Sequence, residues 1–365
     1  MDRKSLDVLA RTRASAVVWV VTVGSVVPAC AGEMPARDSC TAATIGMCIE
    51  ACLEQFPGAA AREQRHACFD AAEREASLPA APAAAARGID DLPLAQMWKK
   101  PDRSGFEAYR PSYVIETYMD SPNDAPTSPN PANVVPATRL KRDETDFQFS
   151  MKAVLVPDSA LPWNDTTVWF GYTQRSFWQM FDAATSRPFR ESNYEPEIFV
   201  SHRFWNDATV PDWRLPLFVN AGLVHQSNGQ SDPRSRSWNR AYAQAGFGGW
   251  FSDGASYAVL VRPWVRFHES AANDNNPDIT HFLGYGDIEW QYWSPDRSRF
   301  LSVLARIRAL QLDYALPRPK WLGGNGSDGA LKLHLHAFTG YGESLIDYNQ
   351  RHTTLGIGLS VPYGP

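Results

Sequence analysis

From about residue 107 onward, short segments rich in aromatic and branched side chains alternate with clusters of Pro, Asp, Asn, Ser and Gly. Within the segments apolar and polar residues take turns, so each reads as a strand with one apolar and one polar face. The segments are 107–119, 143–156, 166–181, 190–204, 213–228, 238–251, 255–268, 280–293, 298–308, 310–317, 329–345 and 352–362, twelve in all. At Ala309 the apolar set changes phase, from Leu301, Val303, Ala305 and Ile307 to Leu310, Leu312, Tyr314 and Leu316, which predicts a tight turn. No run of eighteen apolar residues occurs anywhere, so a helical membrane protein is excluded. A closed barrel is not, because alternating strands keep hydropathy low while presenting an apolar band to lipid. The slightly negative mean hydropathy combined with 13 Trp suits that solution.

The expected architecture is therefore all-β, a twelve-stranded antiparallel transmembrane β-barrel over 105–365. An even strand count puts both ends of the barrel on one side, so connections should alternate between short inner turns and longer outer loops. The first, 120–142, is long and rich in Pro and Asn, the second and fourth are read as shorter, and the fifth, around 229–237, faces outward. A soluble β-rich protein is the competing reading. The last segment, TTLGIGLSVPY, looks like a closing barrel strand, although the chain runs on to Gly364 and Pro365.

Ahead of the barrel, Arg3, Lys4, Arg11 and Arg13 precede the apolar stretch Ala14 to Val27 and the small-residue sequence Ala29-Cys30-Ala31. This predicts a secretory signal over 1–31, with a lipoprotein acylated at Cys30 as the alternative. Residues 41–76 carry helix-type apolar spacing, and Cys40, Cys48, Cys52 and Cys68 lie in the same region, so a disulfide-stapled helical hairpin over 32–76 is expected in an oxidising periplasm. A metal site is the competitor there, but paired C-x-x-C units are lacking and the nearby histidine is His66. Residues 77–104 begin with an Ala- and Pro-rich run and read as a linker. The formal net charge of −5 argues against a nucleic-acid partner.

In segment 213–228 the odd positions are Leu215, Leu217, Val219, Ala221, Leu223, His225 and Ser227, against Pro216, Phe218, Asn220, Gly222, Val224 and Gln226. The odd face is the lipid face, so His225 and Ser227 point outward at the end of an apolar stripe, where polar groups are costly without a purpose. In the next segment Asn239 shares a face with Ala241, Ala243, Ala245 and Phe247. Two strands joined by an outer loop would bring the three together on the barrel exterior as nucleophile, base and orienting group. The spacing alone is weak, because His268-Glu269-Ser270 repeats it near another expected outer end, without a polar loop downstream or an Asn on a facing strand.

The stretch from His225 to Arg240, HQSNGQSDPRSRSWNR, closely resembles the active-site segment of the outer membrane phospholipase A family. YTQRSFWQ at 172–179, RPFRESNYEPEIF at 187–199 and TGYGESLIDYN at 339–349 resemble the same family in the same order. The resemblance covers about 105 to 361. It implies hydrolysis of phospholipid acyl esters at the Gram-negative outer membrane, with Ca2+ as cofactor and an active homodimer. It also implies Ser227 as nucleophile, His225 as base, Asn239 as orienting residue and the Gly229 amide as oxyanion donor. Calcium ligands would be the Ser235 hydroxyl, the Gln230 carbonyl and, from a second protomer, the Ser186 hydroxyl, with Gln174 in the dimer interface. The sequence departs from the family at Gln230, where Arg is usual. A passive channel or binding barrel remains as an alternative. A soluble serine hydrolase fits poorly without a G-x-S-x-G elbow.

Overall fold

The computed structural model describes residues 88–99, 105–205, 214–271, 273–323 and 330–361. The expected signal segment and cysteine-bearing hairpin lie outside these residues. The chain divides into two units, 1–83 and 84–365, and the described residues belong to the second.

Twelve antiparallel strand positions close into a barrel. Strand β1 is in two pieces, Phe106–Ala108 and Ser112–Met119, both paired with β2, Asp143–Val156. Around the wall follow β3 (Thr166–Trp178), β4 (Phe189–Arg203), β5 (Phe218–Ser227), β6 (Ser237–Trp250), β7 (Ser256–Phe267), β8 (Gly286–Trp293), β9 (Phe300–Arg306), β10 (Ala309–Leu316), β11 (Lys332–Gly340) and β12 (His352–Val361). Strand β12 pairs back with β1, from Thr354 opposite Met119 to Val361 opposite Ser112, and no edge is left open among the described strands. The phase change at Ala309 is a hairpin turn: Arg306 pairs with Ala309, leaving Ile307 and Arg308 to reverse the chain.

Connection lengths depart from the expected alternation. The two-residue turn at 307–308 lies at the same end as the long loops 120–142 and 268–285, while 204–217 and 317–331 at the other end are long. Length follows what a connection packs against. Trp205, in one of the long ones, is buried and donates its indole N–H to Asp90 Oδ1 at 2.8 Å.

The faces separate as strand periodicity demands. Val114, Phe149, Ile198, Leu223, Val265 and Leu355 are each more than half exposed on the outer wall, as an apolar band for lipid requires. Inside, one group of buried charges is joined in a paired network. Arg175 bonds Asp146 at 2.6 Å and Glu343 at 3.0 Å, Glu343 takes His352 at 2.7 Å and His336 at 3.2 Å, and His336 and His334 share Asp313 Oδ1 at 2.7 and 3.0 Å. Unpaired, such groups would each cost several kcal/mol, on the order of 3–5, so the pairs hold one another in place, while His334 Nδ1 and His352 Nδ1 are buried without a protein partner among the described residues.

Both mouths are filled by the chain itself. Residues 88–99, within the stretch expected as linker, form a 3-10 turn and a short helix α1 (Pro93–Met97) that seals one end. Ile89, Leu92, Leu94 and Trp98 are buried there, with the Trp98 ring 4.6 Å from Phe218 and 5.7 Å from Phe199. Lys152, itself buried, reaches Met97 O at 2.9 Å, Glu107 at 2.7 Å and the face of Trp169 at 3.7 Å. At the opposite end the loop 341–351 folds inward. Leu345 N donates to Asn193 Oδ1 at 3.2 Å and Ile346 N to Glu191 Oε1 at 2.8 Å. Between the two closures remains a cavity of about 210 Å³, lined by Thr173, Asn193, Arg240, Gln244, Gln311 and Asp313 among others.

Two segments start later than the sequence pattern suggests. Strand β8 is preceded by the helix α2 (Ile279–Leu283) and by Gly284 at φ 74°, which turns the chain into the strand. Strand β5 begins at Phe218, and Leu217, expected on the lipid face, is 4% exposed beside the seal formed by α1. Periodicity fails there because packing against α1, not the sheet, decides the side on which Leu217 lies.

Candidate active site

The hairpin β5–β6 carries the chemistry. Its register pairs His225 with Asn239 and Ser227 with Ser237. From Val219 to Ser227 the odd residues of β5 face outward and the even ones inward, where Asn220 and Val224 are buried. His225 is exposed, and Asn239 and Ser227 are half-buried, all on the outer wall.

His225 Nδ1 and Asn239 Oδ1 are 2.8 Å apart. An amide oxygen only accepts, so this contact requires the proton on Nδ1 and leaves the Nε2 lone pair free. Ser227, two residues along the same face, has no hydrogen bond to the imidazole among the described residues, as is common before substrate aligns such groups. The other side of the Asn239 amide donates from Nδ2 to Glu269 Oε1 at 3.1 Å. Glu269 belongs to the His-x-Ser repeat that sequence reasoning set aside for want of a facing Asn. Strand β7 in fact pairs Phe267 with Asn239, and the chain continuing past it delivers Glu269 to the amide. The strand register held that signal.

The loop 228–236 is built around two buried side chains. Asn228 uses its whole amide: Oδ1 accepts from Arg236 N at 2.9 Å and Gln230 N at 3.3 Å, while Nδ2 donates to Glu191 at 3.0 Å and to Arg234 O at 2.8 Å. Arg236 donates to the carbonyls of Pro233, Ser235 and Asn133. Burial pulls its guanidinium below the usual arginine value, an effect opposed by Tyr348, Glu191 and Asp347. Held between these anchors, Gly229 takes φ 62° and its N–H donates to no protein acceptor among the described residues. A side chain there would meet the Tyr194 ring at 3.0 Å.

The expected metal ligands lie in two places. Gln230 and Ser235 share the loop 228–236, and Ser186 stands in the neighbouring loop 179–188 of the same chain, exposed and at φ 65°. Thr185 donates to Asp182 at 2.6 Å in that loop, which holds the Asp182 carboxyl below its ordinary range. Ser235 Oγ accepts one hydrogen bond, from Asn275 Nδ2 at 2.7 Å, and the Gln230 carbonyl accepts none among the described residues. The Gln230 side-chain amide accepts from Arg234 Nε at 2.7 Å and donates to Arg190 O at 3.2 Å. On the outer wall of β3, Gln174 accepts from Tyr172 at 3.0 Å and donates to Ser176 at 3.1 Å.

Known proteins resemble this chain in sequence and in fold. The family model described as Phospholipase A1 matches residues 94–361. The chain is 40% identical over 265 residues to the putative phospholipase A1 of Neisseria meningitidis serogroup B, a match spanning 70% of this chain and 65% of that protein. It is 34% identical over 234 residues to the phospholipase A1 of Escherichia coli K12, covering 61% of this chain and 71% of that one. Among solved structures, the Salmonella typhi outer membrane phospholipase, a dimer with bound calcium, superposes with a TM-score of 0.58 at 27% identity, over 74% of this chain and 97% of that chain. Family model, relatives and barrel agree, and the chain belongs to the phospholipase A1 family, the outer membrane phospholipases A.

Proposed function

We propose that the protein is a calcium-dependent phospholipase of the Gram-negative outer membrane that hydrolyses acyl esters of phospholipids and lysophospholipids, at sn-1 and sn-2, as a homodimer. The observation that carries this reading is the bond between His225 and Asn239 beside Ser227 on an apolar outer wall. In the reaction Ser227 Oγ attacks the ester carbonyl while His225 Nε2 takes its proton, and Asn239 Oδ1 steadies the imidazolium through Nδ1–H. The Gly229 N–H, free of protein acceptors, receives the developing oxyanion. His225 then returns the proton to the departing alkoxide, and water, activated by the same imidazole, releases the fatty acid from Ser227.

The donor set suits a hard cation: the Ser235 hydroxyl keeps a lone pair, the Gln230 carbonyl is unengaged, and both are oxygen. With Ser186 from a second copy they would hold calcium, which when bound supplies positive charge near the oxyanion. A ligand set shared between copies links metal binding to association. The hydrogen-bonded polar cluster at Gln174 supports a copy seated on that wall, because polar groups facing lipid are costly unless covered. The filled mouths count against the passive-channel alternative.

The test is Ser227→Ala in the refolded chain. Fatty-acid release from micellar phospholipid should vanish, while heat-modifiable migration of the barrel on gels persists. Retained release would reject Ser227 as nucleophile, and release insensitive to chelator would reject the calcium role.

A further inference from the structure

Asparagine offers one acceptor and one donor of nearly the same shape, so what fixes its orientation matters as much as its presence. Asn239 lies between the His225 ring and the Glu269 carboxylate, at 2.8 and 3.1 Å. A carboxylate is acceptor-only, so the Asn239 nitrogen must face Glu269 and the oxygen must face His225. That orientation puts the imidazole proton on Nδ1 and the lone pair on Nε2. Turned over, the amide would donate to Nδ1, the proton would move to Nε2, and His225 could not accept from Ser227.

Glu269 has no competing engagement among the described residues. It forms no ion pair there, and its hydrogen bond is the one to Asn239. It is half-buried, two residues beyond the end of β7, in a loop that turns back over the outer end of β6. We propose that Glu269 is a positioning residue that fixes the Asn239 amide and, through it, the tautomer of His225. This deepens the proposed hydrolase reading and rests on it.

The experiment uses the full refolded chain, micellar phospholipid and calcium, with kcat and KM measured separately. Glu269→Ala should lower kcat by about ten-fold, the loss of one hydrogen bond to a charged group, with KM unchanged. In an Asn239→Ala background the same substitution should cost nothing further, because its route to His225 is already gone. The sharper variant reverses the polarity of the contact. Asn239→Asp alone sets two carboxylates against each other and should be poorly active. Asn239→Asp combined with Glu269→Gln should recover at least about ten-fold over Asn239→Asp, since the new amide can donate to the new carboxylate, whose second oxygen still accepts from His225.

Full activity of Glu269→Ala, a further loss on top of Asn239→Ala, or a double variant no better than Asn239→Asp would each overturn the proposal. Ser227→Ala, assayed alongside, separates this failure from that of the site: if it still hydrolyses, the reading of the site falls, and if it is inactive, the Glu269 results stand on their own.

Discussion

Replacing Gly229 by Ala tests the oxyanion assignment through the backbone alone. Gly229 sits at φ 62°, where an L side chain costs roughly 1–2 kcal/mol, and the added Cβ would lie 3.0 Å from Tyr194 Cε2. Where the ring gives by a few tenths of an ångström, the φ penalty decides the outcome. If that penalty shifts the loop toward conformers with the amide turned away, the competent fraction falls by about 5- to 30-fold, and kcat falls with it. KM should barely move, because the amide meets the oxyanion and not the resting ester. The assay is steady-state fatty-acid release at saturating calcium, with heat-modifiable migration as the fold control. Adding Tyr194→Ala removes the ring contact and should restore little. Wild-type kcat in Gly229→Ala would refute the reasoning, and full recovery with Tyr194→Ala would move the cause from backbone to crowding.

The seal at one mouth makes a second prediction. Trp98→Ala deletes a ring packed against Phe218 and Phe199, a loss of about 3–5 kcal/mol in a buried site, and should lower the temperature at which the barrel loses its heat-modifiable migration while hydrolysis continues below it. An unchanged transition would show that the remaining contacts of 88–99 hold without it. A third prediction concerns acid. Asp296, in the turn after β8, accepts from Ser294 Oγ at 2.6 Å and from Ser298 N at 3.1 Å, and its carboxyl is held down to about 2. A depressed folded-state value stabilises the fold above the unfolded carboxyl's pKa, and that contribution disappears as pH falls from about 4 toward 2. Thermal unfolding of Asp296→Asn should therefore respond less than wild type across that window, and equal responses would remove Asp296 from the account.

Much of this was legible along the chain because strands impose a two-residue period. Parity alone put His225, Ser227 and Asn239 on one side, and the phase change at Ala309 located the turn at 307–308. What escaped was whatever depends on partners distant in sequence. Leu217 broke the alternation because it packs beside α1, and α1 is a single short helix in a stretch whose composition reads as linker. Glu269 escaped for a related reason. Its neighbour on β6 follows from the β6–β7 register, and no spacing within 268–270 encodes it. Connection lengths misled because the number of residues between strands reflects what they cover, as with Trp205 over Asp90.

With each mouth occupied, by Trp98 at one and by Leu345 and Ile346 at the other, the hollow of this cylinder offers lipid no thoroughfare. On the proposed reading, ester and water reach Ser227, and the acid leaves it, along the outer surface where this side chain lies. Turnover should then track the mole fraction of substrate in the surrounding lipid, and diluting that surface with inert detergent should slow the enzyme even when the total amount of phospholipid in the tube is unchanged.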